Sequence, residues 1–218
     1  MLTLHAAGLL VAGRGAGPLP GGAVLVEGDR IAGVGPYEEL AAARPHARTR
    51  RWPGVLTPGL LVDGAQELLE GAYYPDDPYE TAELGTGPVT GAEALAALQL
   101  TDARRGNSAR RATQRLLARG VVAVAGRLTV PAVRTAVARS GLELLPPAAG
   151  GASASGAASL DPFAGRERVE EAFHGVLQEG APARFAVFAA ADLPELAVVG
   201  ATSCVATVIG GRLLHRRR

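Results

Sequence analysis

The sequence predicts a mixed α/β fold in which β-rich ends flank an α/β middle. Three observations predict it. Both ends carry short apolar runs punctuated by glycine turns, such as residues 23–26 before Gly28 and Asp29, and residues 204–209 before Gly210 and Gly211. The middle alternates helix-patterned stretches with apolar runs at 121–125 and 142–145. An apolar share of 48% supports a folded core, and the few aromatics leave that core to Ala, Val and Leu.

Residues 2–4 and 9–11 read as short strands, followed by a Gly/Pro-rich turn at 13–22 and a strand at 23–26. The turn at Gly28 and Asp29 sends the chain back as a further strand over 30–35, completing a meander. Residues 36–43 carry helix formers with Glu38 and Glu39 in the first turn, and Pro45 ends that helix. Residues 50–52 and 55–56 give another short strand pair before Pro58 and Gly59.

From Asp63 the pattern becomes helical. A short helix over 65–70 precedes a polar stretch, 73–87, whose Pro75 and Pro78 predict an irregular loop. Thr90 with Glu93 three residues later is a capping-box pattern for a helix reaching Leu100. Ser108 is placed as the cap of the next helix, running through Arg119 with Gly120 as its stop. Residues 121–125 then read as a buried strand, Pro131 opens a helix closed by Gly141, and 142–145 is a second buried-strand candidate. Helix, strand, helix, strand is the order of a parallel βα arrangement. The Ala/Gly/Ser-rich stretch 146–160 reads as a flexible connection. A helix over 166–178, with Val169, Phe173 and Leu177 on one face, precedes strands at 185–188, 204–209 and 212–215.

All 22 basic residues are arginine, and the formal charge is +1. Spread along the chain, they predict neither nucleic-acid nor membrane binding. The basic end Arg216, Arg217 and Arg218 is the exception. One cysteine, Cys204, excludes an internal disulfide and reads as a small core residue. With no signal-peptide pattern and no stretch of roughly 18 apolar residues, the expectation is a cytoplasmic chain.

Four stretches carry a family likeness: residues 22–35 (Gly22, Ala23 and Val24 through Val34 and Gly35), residues 56–64 around Pro58, Gly59 and Leu60, residues 181–188, and residues 205–214 around Gly210 and Gly211. Together they resemble the amidohydrolase superfamily, within it the imidazolonepropionase-like and aminodeoxyfutalosine-deaminase-like group. The resemblance implies a composite β-sandwich built by residues 1–57 with 180–218, and a truncated TIM-barrel-like βα remnant over 58–179. Active relatives need a chain roughly twice this length for eight βα units, and only about two fit here.

In the family, the Pro-Gly-Leu entry runs into His-x-His, which places two imidazoles on one divalent metal. Ala65, Gln66 and Glu67 stand in those positions here. The resemblance therefore implies no metal, with a single divalent ion such as zinc as the alternative. His5, His46, His174 and His215 are isolated in the sequence and read as structural.

Three weaker groups remain. Asp63, Glu67 and Glu70 share a face if their segment is helical, which makes them candidates for acid/base or hard-cation chemistry beside the plainer reading of a solvated face. Tyr73, Tyr74 and Tyr79, with the acids Asp76, Asp77 and Glu80, are candidates for a binding lip. Arg111, Arg115 and Arg119 repeat every fourth residue as a basic stripe, and the helix start at Asn107 and Ser108 is a candidate anion site. The leading expectation is a non-catalytic amidohydrolase homologue that acts by binding, with an unknown protein partner or by self-association. The alternatives are a hydrolase of non-peptide carbon–nitrogen bonds and a subunit completed by another chain.

Overall fold

The computed structural model describes residues 2–75, 77–147 and 159–217. Within them the strands are β1 (Leu2–Leu10), β2 (Leu19–Pro20), β3 (Gly22–Glu27), β4 (Arg30–Pro36), β5 (Arg48–Pro58), β6 (Leu60–Asp63), β7 (Ala72–Tyr73), β8 (Val89–Thr90), β9 (Val121–Ala125), β10 (Glu143–Leu145), β11 (Arg184–Phe188), β12 (Cys204–Ile209) and β13 (Arg212–Arg216). The α-helices are α1 (Tyr37–Ala43), α2 (Ala65–Leu69), α3 (Pro78–Leu84), α4 (Ala92–Ala97), α5 (Asp102–Leu117), α6 (Pro131–Ser140) and α7 (Leu193–Val199). None of these helices is long and apolar enough to cross a membrane.

The chain forms two compact units. The first comprises Met1–Leu61, Leu117–Val122 and Asp161–Arg218, and the second Val62–Leu116 and Ala123–Leu160. In the first, both chain ends enter one eight-stranded mixed sheet in the order β13, β12, β11, β5, β1, β3, β4, with β2 on the end of β1. The two-residue period of β1, shifted by an irregularity between Ala7 and Leu9, divides its side chains between two cores. Leu4 and Ala6 join Ala23 and Leu25 under Tyr37 and Leu40 of α1. Ala7 and Leu10 face the other way, with Val24, Val26, Phe185, Val187 and Val208. β5 lies between β1, its parallel partner, and β11, its antiparallel partner. This crossing approach leaves no room at Gly54, where an added Cβ would meet the Phe188 carbonyl oxygen at 1.8 Å.

β9 and β10 run parallel, joined by α6, in the three-stranded order β10, β9, β6. All five β9 residues are buried, as an apolar strand covered on both faces should be. α5 turns Ala109, Ala112 and Leu116 inward at helical spacing.

Several expected elements take a different form. Residues 2–10 make one strand, not two, and β5 likewise runs unbroken through 48–58. The expected loop 73–87 contains α3, because Asp77 caps it by accepting from the backbone N–H of Tyr79 and Glu80, and Pro78 sits in its first turn. The capping box at Thr90 does not form: Thr90 pairs with Ala72 in a strand, and Gly91 precedes α4. Helix α5 begins at Asp102, well over a turn before Ser108. β10 is a part-exposed edge strand, with Leu144 40% exposed. Residues 166–178 hold only a 3-10 turn at Val169–Ala172, since Gly175 has φ +77° and Phe173 bridges to Leu60. Helix α7 was not anticipated; Asp192 caps it, accepting from the N–H of Glu195 at 2.8 Å. Most of the Ala/Gly/Ser-rich stretch 146–160 lies outside the described residues.

Candidate functional site

The exit of β6 is the first place to look for chemistry. Val62 is buried, Asp63 is exposed, and Gly64 adopts a left-handed conformation with φ +77°, turning the chain into α2. Ala65 is fully buried. It packs against Gly126 so closely that a Cβ added there would meet the Ala65 methyl at 3.0 Å. Gln66 and Glu67 are exposed, while Leu68 and Leu69 turn inward.

Asp63, Glu67 and Glu70 do not form one acidic face, because Asp63 belongs to a strand and only Glu67 lies within α2. Glu70 has a different task. Its carboxylate accepts from the Thr129 N–H at 2.6 Å, the Thr129 hydroxyl at 2.9 Å and the Val130 N–H at 2.7 Å. These groups lead into the first turn of α6, which has no side-chain cap at Val130 itself. A carboxylate at that position satisfies orphan donors and faces the positive end of the helix dipole.

The tyrosines divide. Tyr73 and Tyr74 are each 1% exposed, so neither forms a solvent-facing lip, whereas Tyr79 is 88% exposed. The Tyr73 hydroxyl donates to Glu80 Oε1 at 2.5 Å. Arg104 donates to the same oxygen at 3.0 Å, to the Tyr73 hydroxyl at 3.4 Å and to the Leu98 carbonyl at 2.8 Å. Burial, followed by the bond to Glu80, holds the Tyr73 phenol above its usual range. The Tyr74 N–H donates to Ser108 Oγ at 2.9 Å, and its carbonyl accepts from Arg111 Nε.

The basic stripe and the anion site at a helix start are corrected by the same contacts. Ser108 lies inside α5, 2% exposed, with its hydroxyl accepting from Tyr74, so no helix N-terminus opens there. Arg111 is buried, with its guanidinium 5.6 Å from the Tyr73 ring, and Arg115 lies 5.2 Å from the Tyr74 ring and donates to the Thr86 carbonyl. This network fastens Tyr73, Tyr74, Glu80 and Thr86 onto α5. Sequence reasoning missed Arg104 and Glu80 as its joint; the signal was Glu80 three residues after Asp77, the spacing of a helix start.

The histidines stand apart from one another. His5 is 2% exposed, accepts from Trp52 Nε1 at 3.3 Å on Nδ1, and meets Phe185 edge-on at 4.8 Å. Burial, then the charge of Arg50, lowers its pKa to about 4. Burial also lowers His174 and His215, and His46 is exposed. Burial pushes the Cys204 thiol up to about 11. Among the described residues no three His, Cys, Asp or Glu side chains are grouped to hold a metal ion.

The stretch that carries a family match is the hairpin β3–β4 with α1 behind it. Residues 22–43 match the imidazolonepropionase-like composite domain of bacteria. No curated relative matches the sequence. Solved structures similar to this chain include deaminases and hydrolases. A. niger ochratoxinase is 22% identical, with 66% of this chain and 30% of that one covered at a TM-score of 0.47. An adenosine deaminase from Xanthomonas campestris with bound zinc is 21% identical, covering 66% and 33% at 0.47. E. coli guanine deaminase is 12% identical, covering 67% and 36% at 0.49. The chain thus spans about a third of the length of these neighbours.

Proposed function

We propose that this chain is a non-catalytic amidohydrolase-like protein that acts by binding, without a resident metal. The observation that carries the reading is the packing of Ala65. At the position where the family resemblance puts a metal-ligating histidine, a buried methyl group fills the space against Gly126. An imidazole needs several more heavy atoms of room and a converging partner to hold zinc. Glu67 is exposed, and Glu70 is already engaged by three donors at Thr129 and Val130. The residues at the exit of β6 therefore do not fit a divalent ion, and no reaction step is routed through one.

The test is zinc analysis of the purified chain, followed by assays for deamination of adenosine and guanine, the reactions for which two neighbours are named. Substoichiometric zinc after dialysis against the metal, with no ammonia released, is the expected result. Stoichiometric zinc together with turnover, both lost in Glu67→Ala, would overturn the reading and make the chain a hydrolase of carbon–nitrogen bonds.

A further inference from the structure

We propose that the open edge of β5 over residues 48–52 docks an extended acidic peptide, which adds to the sheet as a further strand. The first observation is one of pairing. β5 is paired on both sides only in its second half, where β11 meets residues 55–58. Residues 48–52 pair with β1 alone. Backbone groups alternate in direction along a strand, so about half of those in this stretch point away from β1. Among the described residues, no backbone hydrogen bond outside the ladder satisfies them. Arg48, Thr49 and Arg51 are exposed, leaving the edge accessible.

The second observation is charge. Residues 44–58 contain four arginines and no acid. Arg216, at the end of β13, adds to the same field: after burial, Arg48 and Arg216 are what lower the Arg50 pKa. Among the described residues, none of Arg48, Arg50, Arg216 and Arg217 has a carboxylate partner. Arg48 and Arg50 are two residues apart on one strand and project to the same face. They ask for carboxylates at alternate positions of an incoming strand.

Charge also selects among occupants. A second copy of this edge would set arginine against arginine, which is destabilising for directly opposed pairs. A sheet edge bonds to an extended backbone at strand spacing, so it favours a peptide over a nucleic acid, whose phosphates need no such register. The alternative role for the arginines is to keep other strands away. The inference stands apart from the non-catalytic reading, since every residue it uses lies in the first unit. Zinc with turnover would overturn that reading and leave this one intact.

The test is fluorescence anisotropy of the full chain with a labelled peptide of about eight residues alternating Glu and Val. Its Lys–Val and Glu–Pro counterparts and a single-stranded oligonucleotide serve as comparisons. The Glu–Val peptide should bind, and more weakly at about 0.5 M salt. The Glu–Pro peptide, lacking alternate N–H donors, should bind distinctly less well. Arg48→Glu with Arg50→Glu should weaken Glu–Val binding by about tenfold or more. Arg216→Glu, an exposed change at the end of β13, should weaken it by about threefold and decides the matter if the double variant does not fold. The proposal is overturned by any of four outcomes: no binding, equal binding of Glu–Val and Glu–Pro, tighter binding of the oligonucleotide, or full affinity in the charge-reversed variants.

Discussion

Replacing Glu70 by alanine tests whether this side chain is a structural cap and not part of an acidic site. The carboxylate accepts two backbone N–H groups at 2.6 and 2.7 Å and one hydroxyl at 2.9 Å. Hydrogen bonds to a charged group are worth about 1.5–3 kcal/mol each when sheltered. Thr129 is exposed, so water replaces most of what its two bonds supply, and the bond to the half-buried Val130 dominates. Adding the loss of a favourable charge at a helix start, the expected cost is about 2 kcal/mol. At a typical urea dependence, that moves the midpoint down by roughly 1 M.

The probe matters for this measurement. The only tryptophan, Trp52, belongs to the first unit and Glu70 to the second, so its fluorescence is not the local probe. Far-ultraviolet circular dichroism, which sees α5 and α6, is the appropriate signal, with hydrogen exchange at Thr129 and Val130 as the local one. Glu70→Ala should speed exchange at both amides, and Glu70→Gln, which keeps one acceptor oxygen, should fall between. A Glu70→Ala variant within about 0.3 kcal/mol of the parent, with unchanged exchange at both amides, would refute the capping argument.

Three further outcomes follow from the same contacts. His5 is neutral in the fold because its pKa is lowered to about 4, whereas the unfolded chain takes up the proton near the ordinary 6.5. Its contribution is complete above that ordinary value and is lost as pH falls toward 4, about 3 kcal/mol in all; His5→Leu should flatten this part of a Trp52-monitored stability profile. Ser108→Ala removes the acceptor of the buried Tyr74 N–H and should cost about 1–3 kcal/mol, read by circular dichroism. Gly54→Ala would drive a methyl into the Phe188 carbonyl oxygen and should abolish soluble expression, while Gly17→Ala, where nothing lies within 4 Å of the added Cβ, should not.

What the sequence reveals is the local part of the fold. β9 and α6 are legible because each carries its own boundary chemistry: five consecutive apolar residues for the strand, and Pro131 and Gly141 at the ends of the helix. The closing hairpin is legible from Gly210 and Gly211, whose φ values of +57° and +70° suit a tight reversal. Misreadings arise where a correct local signal has competitors. Asp77 and Pro78 look like loop residues by composition, yet with Glu80 they open a helix, and Asp192, Pro194 and Glu195 do the same for α7. Ser108 has the chemistry of a cap, but its hydroxyl serves a backbone N–H 34 residues away. Such pairings are invisible to any window along the chain. Glu70 and Thr129, 59 residues apart, are the same case.

Glu70 and Ala65 together define what would separate the proposed metal-free protein from a metal-dependent one. Introducing histidine at Ala65 alone forces a larger side chain into a place already filled against Gly126, where overpacking costs about 1–3 kcal/mol. Recruiting Glu70 as a ligand withdraws the carboxylate that holds Thr129 and Val130, at a further cost of similar size. The two losses fall in the same unit and would add to a large part of an ordinary domain's stability. A metal could offset them only if a complete ligand set were already present, because one histidine binds zinc too weakly to repay the strain. The proposed non-catalytic state is therefore self-reinforcing: each change toward a metal site lowers stability before any ligand set exists to restore it.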